Sequence, residues 1–176
     1  MMTSTTSPQE IVDQAKRTYQ EGNYLQAVRE FAEAASAFAT AGDALMSAEM
    51  KNNQSVALLL LGEAQAALDA ADGTDKLFAG AEDFRRQGMA LANQATALQT
   101  LKRLKDSMEY YQRAGVALEK AGEGDLRADV MQQLSILHLR RFKFYDAIIT
   151  LQSGLAGVKN PNLKQRWMKK ILFVRL

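Results

Sequence analysis

The sequence predicts an all-α protein: four helical pairs stacked along the chain, followed by one further helix. Three observations carry that prediction. The chain repeats itself at a step of 40 residues, its apolar residues recur at intervals of three and four, and it is rich in alanine with only two prolines in 176 residues. Alanine has the highest helix propensity and proline the lowest, so this balance disfavours a sheet.

The repeat is taken first because it frames every other reading. Steps of 40 align Ala27, Ala67, Ser107 and Ala147, with Val28, Leu68, Met108 and Ile148 beside them. Upstream, Ala15, Ser55, Ala95 and Ser135 fall in register, and downstream Phe38, Phe78, Leu118 and Val158 do. Small stands with small and large with large, and no gap is needed. Four units follow, at 8–42, 43–82, 83–122 and 123–160, between a polar segment 1–7 expected to be disordered and a tail at 161–176.

Each unit divides into two helices. In the first, 9–21 and 24–40, the spacing of Ala27, Val28, Phe31, Ala34, Ala35 and Phe38 marks an amphipathic helix. Gly22 separates the two, because glycine accepts the left-handed conformation that a helix exit commonly requires. Asp43 opens the second unit, at 44–61 and 64–81, where a carboxylate can accept the free amide hydrogens of a helix start. Gly62 divides that unit, and Gly73 inside its second helix should weaken or kink the helix without interrupting the array. Asp83 opens the third unit, at 84–101 and 104–121, and the fourth spans 125–141 and 144–158.

The last helix, 162–174, carries Leu163, Trp167, Met168, Ile171 and Leu172 on one face and Lys164, Arg166, Lys169 and Lys170 on another. A terminal pair leaves an apolar flank that needs a cover with a polar outer side, so this segment is expected to cap the stack. A basic amphipathic helix docking on an acidic partner, anionic lipid or nucleic acid is the alternative, with Arg140, Arg141 and Lys143 extending the patch.

Composition narrows the function. With no cysteine and a single histidine, His138, the chain lacks thiolate and histidine-cluster metal sites and cysteine nucleophiles. No cofactor, metal or small-molecule substrate is expected. Residues 1–7 have neither the basic region nor the apolar core of a targeting signal, and the longest apolar run, Val56 to Leu61, is far short of the ~20 residues a membrane helix needs. A soluble cytoplasmic protein is therefore the expectation. Charge is uneven: from His138 onward nine of the 22 Lys and Arg face one of the 20 Asp and Glu, leaving 13 against 19 in the preceding chain.

The string Gly22-x-Tyr24-x-x-Ala27-x-x-x-Phe31-x-x-Ala34, with Ala15 seven residues before Gly22, resembles the signature of the tetratricopeptide repeat. The resemblance covers about residues 9–158. It loosens along the chain: Lys102 and Phe142 replace the glycine, Ala71 and Leu151 the large residue, Thr74 and Gly154 the last alanine. The family's usual unit is six residues shorter, and the added length extends both helices. The resemblance implies a right-handed α-solenoid of antiparallel helix pairs, with a concave groove, lined by the first helix of each pair, that binds a protein or peptide.

That geometry would place three columns in the groove: Asp13, Asn53, Asn93 and Gln133; Val12, Asn52, Ala92 and Gln132; Lys16, Val56, Thr96 and Ile136. A carboxamide both donates and accepts, so Asn53, Asn93 and Gln133 can grip an extended peptide backbone, or alternatively cap loops or face water. Some family members clamp a chaperone's C-terminal carboxylate. The matching places here, Val12, Lys16, Asn53, Met89 and Asn93, keep only one cation, so an apolar anchor among Val56, Leu59, Leu60, Met89, Ile136 and Leu139 suits this chain better.

His138 shares its column with Thr18, Leu58 and Leu98, and is read as packed, with no catalytic role. Asp69 with Asp72, and Glu82 with Asp83, are read as solvated faces. The expectation is a non-enzymatic scaffold for a polypeptide partner. A self-pairing structural protein, a homo-oligomer, is the first alternative, and a binder of membrane or nucleic acid through the basic end, which is not favoured, the second.

Overall fold

The computed structural model describes residues 7–172, and every regular element among them is a helix. In chain order these are α1 (Pro8–Gln20), α2 (Tyr24–Thr40), α3 (Ala44–Leu60), α4 (Ala64–Ala71), α5 (Thr74–Gly80), α6 (Phe84–Thr100), α7 (Leu104–Lys120), α8 (Gly124–Arg140), α9 (Phe144–Ala156) and α10 (Leu163–Leu172). Of the segment expected to be disordered, residues 1–6 lie outside the described part, as do residues 173–174 of the last expected helix.

Helix starts follow the chemistry of their first residues. Ser7 accepts the Glu10 amide while the Glu10 carboxylate accepts the Ser7 amide at 2.7 Å, a reciprocal cap completed by Pro8 in the first turn. Asp43 and Asp83 accept the amides of Met46 and Arg86, each at 2.9 Å. Burial pushes the Asp83 carboxyl up, but the Arg86 amide and guanidinium, with Arg85 nearby, outweigh that and hold it below the ordinary value.

Helix ends recur every 20 residues. A residue with left-handed φ stands at Gly22, Gly42, Gly62, Glu82, Lys102, Gly122 and Phe142. At the first, the Gly22 amide returns to the Tyr19 carbonyl at 3.0 Å and the Asn23 amide to the Thr18 carbonyl at 3.1 Å, which satisfies the last carbonyls of the helix. Phe142 and Lys143 make the same bonds to Leu139 and His138. Backbone geometry at these turns is thus kept even where glycine is not.

One expectation needs correction. The helix 64–81 does not merely kink: Asp72 leaves helical geometry with ψ 133°, Gly73 is left-handed with φ 73°, and the chain restarts as α5. The Thr74 hydroxyl donates to the Ala71 carbonyl at 2.7 Å, closing the break locally. Both halves keep their places, α4 packing on α3 and α6, and α5 on the same two helices.

Apart from α4 and α5, which share the same two neighbours, consecutive helices pack on one another. The small residues aligned by the repeat sit where paired helices meet: Ala15, Ala27, Ala67, Ala95 and Ser107 have no exposed surface. Most of these junctions carry a buried hydrogen bond across the turn. Ser55 donates to the Ala67 carbonyl at 2.7 Å, Ser107 to Ala95 and Ser135 to Ala147 at 2.8 Å each, and Ser47 to Ala35 at 2.8 Å between the first and second pairs. A small side chain allows the approach, and its hydroxyl finds the facing backbone oxygen.

Apolar packing is divided. One cluster joins α1, α2 and α3 through Val12, Phe31 and Met50; another joins α6, α7 and α8 through Leu91, Tyr111, Leu118 and Leu134. Between them lie two smaller groups, around Phe78 and around Leu58.

Candidate functional site

A hollow of about 260 Å³ lies among α1, α2 and α3. Lys16, Tyr19 and Gln20 come from α1, Phe31 from α2, and Asn53 and Val56 from α3. Its floor is aromatic because Phe31, 3% exposed, belongs to the buried cluster, and the Tyr19 ring lies 6.4 Å from it in a tilted arrangement. Lys16, Gln20 and Asn53 supply polar groups around that apolar floor. Three of the residues expected in a groove, Lys16, Asn53 and Val56, therefore converge.

The other expected residues do not enter this hollow. Asn52 is corrected: it is 7% exposed, and its carboxamide oxygen accepts the Thr74 hydroxyl at 3.1 Å, so it braces the restart of α5 and offers nothing to a ligand. Asp13 is exposed and accepts the Gln9 carboxamide at 3.0 Å. Asn93 is half-buried and Met89 exposed on α6. Thr96 donates to the Ala92 carbonyl at 2.9 Å and shares a 3.0 Å hydrogen bond with Tyr111, whose phenol burial pushes up. On α8, Gln133 is exposed, and Gln132 and Ile136 are half-buried.

At the other end, Arg140, Arg141, Lys143, Lys164, Arg166 and Lys170 are exposed. Lys169 is corrected: it is half-buried, with its ammonium donating to the Val158 carbonyl at 3.0 Å. The expected polar outer side of α10 also needs correction. Gln165, Met168, Lys169 and Leu172 form the less exposed side, and the Leu172 carbonyl accepts the Gln152 side chain of α9, while Leu163, Trp167 and Ile171 point to solvent.

His138 is buried, and its Nδ1 lies 3.8 Å from an Asp146 carboxylate oxygen. Burial lowers its pKa below the ordinary value; Asp146 opposes that shift, while Lys143 and Arg141 add to it. The imidazole is a packed group between α8 and α9.

A second cleft, of about 430 Å³, escaped the sequence reading. Asp69 and Asp72 at the end of α4 face Asp106 and Glu109 of α7 across it, with Arg103 holding Asp106 at 2.9 Å. The available clue was positional: Asp69 and Glu109 are 40 residues apart, hence equivalent in neighbouring units.

No protein-family model matches this chain, and no curated protein matches it.

Proposed function

We propose that the protein is a non-enzymatic scaffold, a tetratricopeptide-like right-handed solenoid whose groove, lined by α1, α3, α6 and α8, holds an extended segment of a partner polypeptide. The observation that supports this reading is the convergence of Lys16, Asn53 and Val56 on the aromatic floor made by Tyr19 and Phe31. A hollow of that size accepts one large apolar side chain of a peptide. Asn53 can donate to and accept from the peptide backbone beside it, and Lys16 favours a carboxylate nearby.

The reading is tested with a peptide array probed by the intact protein, followed by anisotropy measurements on the peptides retained. Bound peptides should share one large apolar residue, and Val56→Lys should weaken them by roughly tenfold or more by placing a second cation beside Lys16 in an apolar hollow. Asn53→Ala combined with Asn93→Ala should weaken capture with thermal stability nearly unchanged. Unaltered capture by either folded variant, or an array with no retained peptide, would remove the proposal.

A further inference from the structure

Among the described residues fifteen large hydrophobic side chains are exposed, and eight of them lie between Phe142 and Ile171, on α9, the turn before it and α10. Elsewhere such residues are dispersed between Leu25 and Leu139, as ordinary surfaces allow. A concentration of this kind marks a surface that meets something apolar.

Leu163, Trp167 and Ile171 are four residues apart, so they form one stripe along α10, and Trp167 is 62% exposed. The opposite side of the helix is the one tied to α9 and the residues just after it, through the Gln152 side chain of α9 to the Leu172 carbonyl and Lys169 to the Val158 carbonyl. The stripe is therefore turned away from the rest of the molecule. On α9, Tyr145, Ile148 and Ile149 are likewise open.

Phe142 sharpens the case. It occupies a turn position where four of the seven turns have glycine, with φ 58°, a conformation that a bulky side chain adopts only at a cost. The ring makes an edge contact with Phe144 at 6.3 Å and is otherwise 80% exposed, so packing within the chain does not account for it.

The surrounding charge selects the occupant. Arg140, Arg141 and Lys143 border the Phe142 turn, and Lys164, Arg166 and Lys170 flank the α10 stripe. The lone carboxylate after His138 is Asp146, already 3.6 Å from Lys143. A second copy meeting this surface face to face would bring two cationic rims together. Nucleic acid would satisfy the cations and stack on aromatic rings, but would leave Ile148, Ile149, Leu163 and Ile171 without apolar partners. An anionic bilayer surface takes both parts, headgroups pairing with the cations while aromatic and aliphatic side chains enter the interface.

We propose that α9, α10 and the Phe142 turn form a peripheral docking surface for anionic lipid membranes, with Trp167 and Phe142 among the inserting side chains. Insertion stays shallow: no helix among the described residues is long and apolar enough to cross a membrane. This surface is independent of the proposed peptide groove.

Trp167 is the only tryptophan of the chain, which makes it a reporter. The full-length protein is titrated with vesicles of phosphatidylcholine alone and of phosphatidylcholine containing one third phosphatidylserine. With the anionic vesicles alone, Trp167 emission should shift to the blue and be quenched by brominated lipid, and the protein should co-sediment in a manner reversed by salt. The triple charge reversal K164E, R166E and K170E should weaken that binding by about tenfold or more. Phe142→Gly should raise the melting temperature yet weaken vesicle binding, a divergence that loss of folding cannot produce, and Asn53→Ala should leave it unchanged. An emission spectrum unmoved by anionic vesicles would overturn the proposal. So would equal binding to neutral vesicles, duplex DNA binding at moderate salt without vesicle binding, or a concentration-dependent blue shift without lipid.

Discussion

Arg113 donates to the Asp75 carboxylate at 2.8 Å, tying α7 to α5 across 38 residues of sequence. The acid is buried, its side chain 5% exposed, whereas the arginine side chain is 42% open and stacks on Tyr110. The equivalent places in the other units, Ala35, Gly115 and Leu155, are occupied by residues without charge. Arg113→Ala leaves a buried carboxylate with only the Gln94 side chain at 3.3 Å, and should cost about 2 kcal/mol, below the full value for a buried pair because water reaches the arginine. Asp75→Ala strands a guanidinium that water can solvate, and should cost about 1 kcal/mol or less. Urea denaturation of the two variants measures the order; a costlier Asp75→Ala would contradict it.

The left-handed turn residues offer a gain. Glu82 and Lys102 hold φ 57° and 63°, where a Cβ is unfavourable. Glu82→Gly and Lys102→Gly should each stabilise the protein by about 0.5–1 kcal/mol, the relief of strain exceeding the added freedom of the unfolded chain. Gly42→Ala, at φ 80°, should destabilise by about 1 kcal/mol. Thermal melts of the three variants test the contrast in sign.

The serine bridges should be measurable one at a time. Ser55→Ala removes the hydroxyl that reaches the Ala67 carbonyl, and should cost about 0.5–1.5 kcal/mol. Ser55→Val should cost more, because the site has no exposed surface and the added methyl must enter a close helix approach. Equal effects would mean that the contact has room to spare.

His138 gives a pH dependence of definite sign. Burial holds its folded pKa below 6.5, so as pH falls from neutrality the unfolded chain takes the proton first. Stability should therefore decline from about pH 6.5 downward, until the folded imidazole also protonates. His138→Gln should flatten that part of the curve. Urea midpoints between neutrality and about pH 5 compare the two proteins, and identical slopes would assign the decline to other groups.

Helix boundaries were readable because they repeat. The expected helix at 24–40 coincides with α2, and those at 84–101 and 104–121 differ from α6 and α7 by one residue. Small residues at a constant step mark the crossings, and those crossings admit little variation. The break at Gly73 was less legible, since one glycine within a helical pattern is normally tolerated; the outcome is completed by Thr74, Asn52 and Ala71, which meet only in three dimensions. Amphipathicity located α10 but could not say which side would face α9, and there the Gln152 side chain of α9 reaches the Leu172 carbonyl while the Lys169 ammonium reaches the Val158 carbonyl just past α9. At the candidate site, the column containing Lys16 and Val56 was readable from register, while Asn52, one position from Asn53, turned inward.

The partition of the interior has its own consequence. Phe31 and Leu134 belong to separate apolar groups, each made by helices close together in the chain. A lesion in one touches no side chain of the other, so its strain is handed on first to the small groups around Phe78 and Leu58 that stand between them.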